Sequence, residues 1–427
     1  MKTYTILILF LLVGSALNAQ QRDLNFYLEQ ARKNSPLINK NINENQIVKL
    51  DLKQISSVLS KPEINLVSGI TLAPIISHDN NTNRFELVSE GATDYTGHDL
   101  AITDGGQFQA LVSVKQPLLA GSKYKVYANK ADISGQINNN NIALTIHELE
   151  QIAGYQYILC IKSRKQADNS LSLLKDLDEQ MKIMNKLVEN AIYKQIDLMI
   201  LQIEVQNYNA EYMMFESEYL TNLYDLNLIC GISDTSKVDL QDINFTVKPE
   251  NTGRSNFLTS YKLDSLNIIA DQAVNELKYK PQLDLFADAG LNAAYLPYPE
   301  RFGLSTGISF SLNIFDGHQR NIQREKSAIN QQTLEFEKKT FLTQNDISKN
   351  KIMNQIKAVD QRIILNEQQA DQYNNLYEAY SKELSRGEIS IMDFKNLLKD
   401  IAAKKQEILQ FKMEKQLLIN SYNYLNY

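Results

Sequence analysis

The chain has 427 residues, with 44 Lys and Arg against 50 Asp and Glu, and its formal net charge of −6 argues against nucleic acid as a partner. Gly and Pro are scarce (16 and 8), Trp is absent, and the two cysteines, Cys160 and Cys230, fall in helical patterns and read as small buried hydrophobes in preference to a disulfide framework. So few breakers in so long a chain point to long helices.

In chain order, Lys2 opens a short positive start, Ile6 to Val13 is an apolar run, and Leu17-Asn18-Ala19-Gln20 is a small-residue cleavage site. This predicts a secretory signal peptide over 1–19, too short and wrongly flanked for a spanning helix. No Cys directly follows the run, so a lipid anchor is not expected. After residue 19 no stretch approaches 18 apolar residues, so any membrane crossing must be made by strands.

A first copy of a layout spans 20–231. It reads as a helix, a strand over 62–73, a polar outer loop over 75–105, a strand over 107–117, a long helix over 121–189, a turn over 190–197 and a helix over 198–230. In the first strand Ile64, Leu66, Ile70 and Leu72 oppose Glu63, Asn65 and Thr71; in the second Phe108, Ala110, Val112 and Val114 oppose Gln109, Ser113 and Lys115. The long helix is interrupted only by Gly135 and Gly154, and at 1.5 Å per residue it spans on the order of 100 Å. Ala167, Leu174, Met181 and Val188, with Leu177 and Met184 between them, carry a heptad seam; Leu201, Val205, Tyr208, Tyr212, Phe215, Tyr219 and Leu226 resume it after the turn. That is the pattern of an antiparallel coiled-coil hairpin.

A polar linker over 232–256 leads to a second copy over 257–427. It holds a helix, a strand over 281–291, a short outer loop over 293–300, a strand over 302–314, a long helix over 317–384, a turn over 385–392 and a helix over 393–427. Leu283, Leu285, Ala287, Ala289 and Leu291 oppose Gln282, Asp284, Phe286, Asp288 and Gly290; Phe302, Leu304, Ile308, Phe310, Leu312 and Ile314 oppose Gly303, Ser305, Gly307, Ser309, Ser311 and Asn313. Gly121 and Gly317 lie 196 positions apart, as do Asp197 and Asp393. Upstream, Lys61-Pro62-Glu63-Ile64-Asn65-Leu66 matches Lys280-Pro281-Gln282-Leu283-Asp284-Leu285 at an offset of 219, the difference falling in the longer first outer loop.

Four strands of roughly ten residues, apolar on one side and polar or small on the other, are the dyad pattern of a membrane barrel. A soluble sheet with one wet face has the same pattern. Export, and the bare edges that four strands would leave, favour a barrel of about 12 strands shared among three chains. On that reading Glu63, Lys115, Asp284 and Asp288 line the lumen, and Leu304, Ile308, Phe310, Leu312 and Ile314 face lipid. Tyr295, Tyr298 and Phe302 fit an interfacial aromatic girdle. Catalytic, cofactor and metal sites are not expected. His78, His98, His147 and His318 lack metal-ligand spacing, and there is no phosphate loop or nucleophile elbow. The acidic stretch Glu86 to Asp104 reads as a solvated outer loop in preference to a weak cation site.

The doubled layout has strand-to-helix junctions at Pro117-Leu118-Leu119-Ala120-Gly121 and Ile314-Phe315-Asp316-Gly317, and helix-hairpin segments at Ile192–Leu198 and Leu384–Asp393. In these features the chain resembles the outer-membrane efflux protein family, the TolC-like channels. The resemblance implies a mainly α fold with membrane β structure. Three chains would form a 12-stranded outer-membrane β-barrel continued by a long coiled-coil periplasmic tunnel, with two structural repeats per chain. It implies a passive conduit in the cell outer membrane, with a large periplasmic part and no catalysis. A periplasmic adaptor (membrane fusion) protein and an inner-membrane RND or ABC transporter would open it at its tip, for efflux or type I secretion.

The resemblance also places Asp393 on an acidic tip ring, puts Asn396 where the family has a second acid, and matches Asp197 to the first-copy turn, with Gly387 and Ser390 in the second. Read from the residues alone, Ser390 and Asp393 also make a capping box, and Asp197 suits the positive end of its helix. The rival reading of the whole chain is a periplasmic helical-hairpin adaptor or scaffold without a channel. Two hairpins and four amphipathic strands fit a channel better.

Overall fold

The computed structural model describes residues 22–79, 81–86, 92–97, 105–249, 255–293 and 302–427. The segment read as a signal peptide, the short outer loop with Tyr295 and Tyr298, and residues 87–91 and 98–104 of the acidic stretch, His98 among them, lie outside the described residues. The helices are α1 (Leu24–Asn34), α2 (Pro36–Ser60), α3 (Gly121–Glu189), α4 (Gln195–Ile229), α5 (Asn256–Glu276), α6 (Gln319–Arg386) and α7 (Ile391–Leu425). The strands are β1 (Glu63–Ala73), β2 (Ile75–Asp79), β3 (Thr82–Glu86), β4 (Asp94–Gly97), β5 (Gly105–Pro117), β6 (Gln282–Ala293) and β7 (Phe302–Ser311). The chain divides into two compact units.

One unit, residues 42–139 and 261–336, holds the strands. Its four-stranded antiparallel sheet has the order β1-β5-β6-β7. Each strand runs into or out of one helix, and the helices are tied together in the same order. Asn45 of α2 donates to Asn139 of α3 (2.8 Å), and Lys130 of α3 pairs with Asp271 of α5. Ser265 of α5 and Gln331 of α6 exchange two hydrogen bonds, of 2.7 and 2.8 Å. Near the sheet, Arg320 and Arg324 of α6 clamp Glu276 at the end of α5.

Several boundaries differ from the sequence reading. The first helix is split at Ser35–Pro36: Ser35 Oγ accepts from the Ile38 amide (3.3 Å), and Pro36 opens α2 at the position where proline costs no hydrogen bond. The long outer loop carries a second sheet, β3-β2-β4, in which His78 bonds both Asn83 and Thr96. The strand read over 302–314 stops at Ser311, because its partner Gln282 begins β6 and leaves Leu312 and Ile314 nothing to pair with. The two turns are shorter than read, since α4 starts at Gln195 and α7 at Ile391.

The other unit, residues 22–41, 140–249, 255–260 and 337–427 of the described chain, is helical. One core joins Tyr27, Tyr157, Ile161, Tyr219, Leu226 and Met413; a second joins Leu177, Met184, Leu201, Leu384, Phe394 and Leu398. The buried seam of α3 is Ala167, Ser170, Leu173, Leu177, Gln180, Met184 and Leu187, so Leu174, Met181 and Val188 sit beside it and only partly buried. Ser170 and Gln180 interrupt the apolar pattern, which is why a search for apolar heptads settles one position off. On α4 the expected residues Leu201, Tyr208, Phe215, Tyr219 and Leu226 are buried, while Val205 and Tyr212 are only partly buried.

Cys160 and Cys230 are free and buried in the first core, and desolvation pushes both thiols up to about 12. His147 stacks on Tyr427 (centroids 3.6 Å apart) and donates to the Tyr424 carbonyl (2.9 Å). Over residues 232–249 the linker is a strap bonded to the helices. Its Asp239 and Gln241 bond Arg22, Tyr157 donates to the Gln241 carbonyl (2.7 Å), and the Phe245 amide donates to Gln416 (2.5 Å).

The arginines hold the Glu276 carboxyl down at about 2, against an ordinary value of 4.5, Arg324 being the larger cause. A depressed folded-state value means that this contribution is fully present above pH 4.5 and is lost as pH falls towards 2. Glu276→Gln is therefore expected to lower the melting temperature at pH 7, and the gap to the parent should close as the melts are repeated towards pH 2.

Candidate functional site: a one-faced sheet and two matched helix turns

The ladder register decides which side chains share a face of the four-stranded sheet. Glu63 faces Lys115, Pro117 faces Asp284, Ser113 faces Asp288, and Asp288 faces Ser305. Residues directly opposite in an antiparallel pair point the same way, and alternate residues follow them. Glu63, Asn65, Ser113, Lys115, Asp284, Asp288, Ser305 and Ser309 therefore share one face. Ile64, Leu66, Ile70, Val112, Val114, Leu285, Leu304, Ile308 and Phe310 share the other. The sequence-read lumen set Glu63, Lys115, Asp284 and Asp288 is thus brought together, with a Lys115–Asp284 ion pair of 3.1 Å.

The apolar face is bare. Leu66 is 77% exposed and Leu304 82%. Among the sequence-read outward residues, Leu304, Ile308 and Phe310 lie on this face; Leu312 and Ile314 follow the strand, exposed but outside the ladder. So large a contiguous apolar surface needs an occupant. Phe286 is the one aromatic on the polar side of the second-copy strands, and its ring lies where a side chain at Gly307 would sit, since a Cβ there would come within 2.6 Å of it. At Gly290 a Cβ would stand 2.1 Å from the Ala110 carbonyl oxygen, so β5 and β6 approach closely only because that residue is glycine.

The two junction glycines are not equivalent. Gly317 and His318 both have left-handed backbone (φ +67° and +65°), whereas Gly121 opens α3 with no such angle; a Cβ at either glycine would meet open space. At the second junction Tyr279 donates to Asp316 (2.5 Å), whose carboxylate also accepts the Arg320 amide and is held below the ordinary range, mainly by the tyrosine. At the first, Pro117 ends β5 and the Leu118 amide donates to the Leu283 carbonyl (2.8 Å).

The two helix turns are built alike at positions 196 apart. The Ala191 amide donates to Val188 and the Ile192 amide to Leu187; the Gly387 amide donates to Leu384 and the Glu388 amide to Glu383. This closing pattern requires a left-handed residue, supplied by Ala191 (φ +56°) and Gly387 (φ +74°). The turns also touch. Tyr193 Oη donates to the Ile389 carbonyl (2.6 Å), and a Cβ on Gly387 would stand 2.4 Å from Ile192 Cγ2. Asp197 accepts the Lys194 amide (2.9 Å), and Ser390 Oγ accepts the Met392 amide (3.1 Å), so both act as helix caps.

Asp393 and Asn396 are exposed on the first turns of α7, and Asp400 lies on the same face one turn on. Sequence reading missed Asp400, the Tyr193 bridge and the Lys395–Glu204 ion pair (3.0 Å) that ties α7 to α4. Helical spacing would have found the first, but nothing local signals the other two. Among the described residues no group of three or more His, Cys, Asp or Glu is placed to hold a metal, and no helix is long and apolar enough to cross a membrane.

No family model matches the sequence, and no curated protein matches it. Solved structures do match, at low identity. The chain is similar to CusC, a protein that forms a transmembrane channel (TM-score 0.70, 11% identity, covering 95% of this chain and 92% of that one). It is similar to the outer membrane protein VceC of Vibrio cholerae (0.68, 13%, 94% and 96%) and to the open MtrE outer membrane channel of Neisseria gonorrhoeae (0.67, 10%, 94% and 88%). The fold is that of the TolC-like outer-membrane channels.

The turns give a test of opposite signs. Gly387→Ala forces a Cβ into left-handed backbone and into Ile192, and should destabilise by at least roughly 1–2 kcal/mol. Ala191→Gly relieves the same strain and should leave stability equal or higher. Denaturant melts of the two variants beside the parent check both.

Proposed function

We propose that the chain is the outer-membrane channel-tunnel component of an efflux or type I secretion system. Three copies share one barrel of about 12 strands, the bare apolar face meets lipid, and the face with Glu63, Lys115, Asp284 and Asp288 lines the pore. The observation that carries this reading is the sheet itself, with one apolar exposed face, one polar face, and edges at β1 and β7 that are unpaired among the described residues. Lipid tolerates β structure only when every edge is closed. The matched halves support a duplicated layout, each half contributing two strands and a helix hairpin to the barrel and its periplasmic tunnel.

The conduit is passive and performs no catalysis. The touching turns at Tyr193–Ile389 and Ile192–Gly387 are the periplasmic tip, and the exposed Asp393 narrows it. A periplasmic adaptor and an inner-membrane RND or ABC transporter open it and set the cargo. The capping seen at Asp197 and Ser390 gives those two residues a structural role at the tip.

A helical scaffold without a channel would be extracted in buffer and migrate as a monomer. The channel reading expects the chain in the outer-membrane fraction, migrating as a trimer in detergent until heated. Asp393→Ala is expected to raise single-channel conductance in planar bilayers. Unchanged conductance would leave Asp393 as no more than an exposed residue of the first turn of α7.

A further inference from the structure

The trimer proposed above leaves open what registers one copy on the next. Helix α6 exposes Ile322, Ile329 and Phe336, three large apolar side chains at seven-residue intervals. Each heptad step shifts the face of a straight helix by only about 20°, so the three lie along one line. Helix α2 exposes a second apolar stripe, Ile47, Leu50 and Val58. Neither helix covers the other in its own chain, because α3 and α5 stand between them.

Their attachment to the sheet supplies the partner. β1 and β7 are the two edge strands; α2 enters β1 and α6 leaves β7. The register Glu63↔Lys115, Pro117↔Asp284 and Gln282↔Ser311 puts both attachments at the same end of the sheet. Adding the β7 edge of one copy to the β1 edge of the next therefore sets α6 antiparallel beside the next copy's α2. The heights agree: Leu50 lies ten residues from the sheet-proximal end of α2, and Ile329 lies ten residues from that of α6. Val58 and Ile322 are likewise level near the sheet.

The flanking charges agree as well. In an antiparallel pairing of right-handed helices, exposed Asp51 falls on the flank of exposed Lys326, and exposed Lys53 on that of exposed Glu325. We propose that the α6 stripe Ile322/Ile329/Phe336 packs on the α2 stripe Ile47/Leu50/Val58 of a second copy of this chain. This seam fixes the stagger with which the edge strands join. The inference rests on the trimeric-channel reading and names the surface that reading needs.

The test uses the full chain in membranes, with Cys160 and Cys230 left in place because both are buried. The double variant Leu50→Cys with Ile329→Cys is expected to give, on oxidation, a reducible ladder of two and three linked chains. Either single variant should give none, and neither should Val58→Cys with Phe336→Cys, whose heights differ. Asp51→Lys should reduce the fraction migrating as trimer before heating, and Asp51→Lys with Lys326→Asp should restore it. Trimers that form without a ladder, or charge reversal without rescue, would overturn the seam and leave the channel reading standing. Adducts of other masses would mean a different chain covers the stripe. A chain that is monomeric by migration and by cross-linking would remove both the seam and the channel.

Discussion

Backbone hydrogen bonding at the edges of one sheet is the constraint on which the rest depends. β5 and β6 are paired on both sides, while β1 and β7 each present a row of amides and carbonyls with no partner among the described residues. In water such edges invite association, and in hydrocarbon each unmet group costs several kcal/mol. The same sheet exposes an apolar face that water disfavours. On the proposed reading a single environment answers both problems: lipid against the apolar face, with further strands closing the edges. The polar face with its Lys115–Asp284 pair then belongs to the enclosed side.

From that constraint the helical part gains its meaning. Each strand of the four-stranded sheet runs into or out of a helix, and the helices keep the strand order through side-chain ties such as Asn45–Asn139, Ser265–Gln331 and the Glu276 clamp. In the helical unit the strap between the halves is held by Arg22, Tyr157 and Gln416, and the two turns are locked by one tyrosine hydroxyl and one glycine contact. The same helices also share the second core and the Lys395–Glu204 ion pair, so the turn contacts are one part of a larger junction between the two hairpins.

Much of this was legible in the sequence, and the misses have physical causes. Period-two alternation placed all four long strands, and the register then sorted Glu63, Lys115, Asp284 and Asp288 onto one face as read. The 196-residue offset found both turns, though only the backbone reveals that Ala191 does in one what Gly387 does in the other. Strand ends were misjudged at Leu312 and Ile314 because alternation outlasted the partner strand. The α3 seam was set one position off because Ser170 and Gln180 occupy core sites. The small sheet of the long outer loop, and long-range ties such as Lys395–Glu204, leave no periodic trace to read.

The orientation of the four-stranded sheet can be measured directly, because the chain contains no Trp and any introduced indole reports alone. Single Trp variants at Leu304, Ser305, Ile308 and Ser309, reconstituted with bromine-labelled lipid, would report which side chains touch acyl chains. The account requires strong quenching at positions 304 and 308 and little at 305 and 309. Quenching that does not alternate along β7, or that is absent at all four positions, would contradict it.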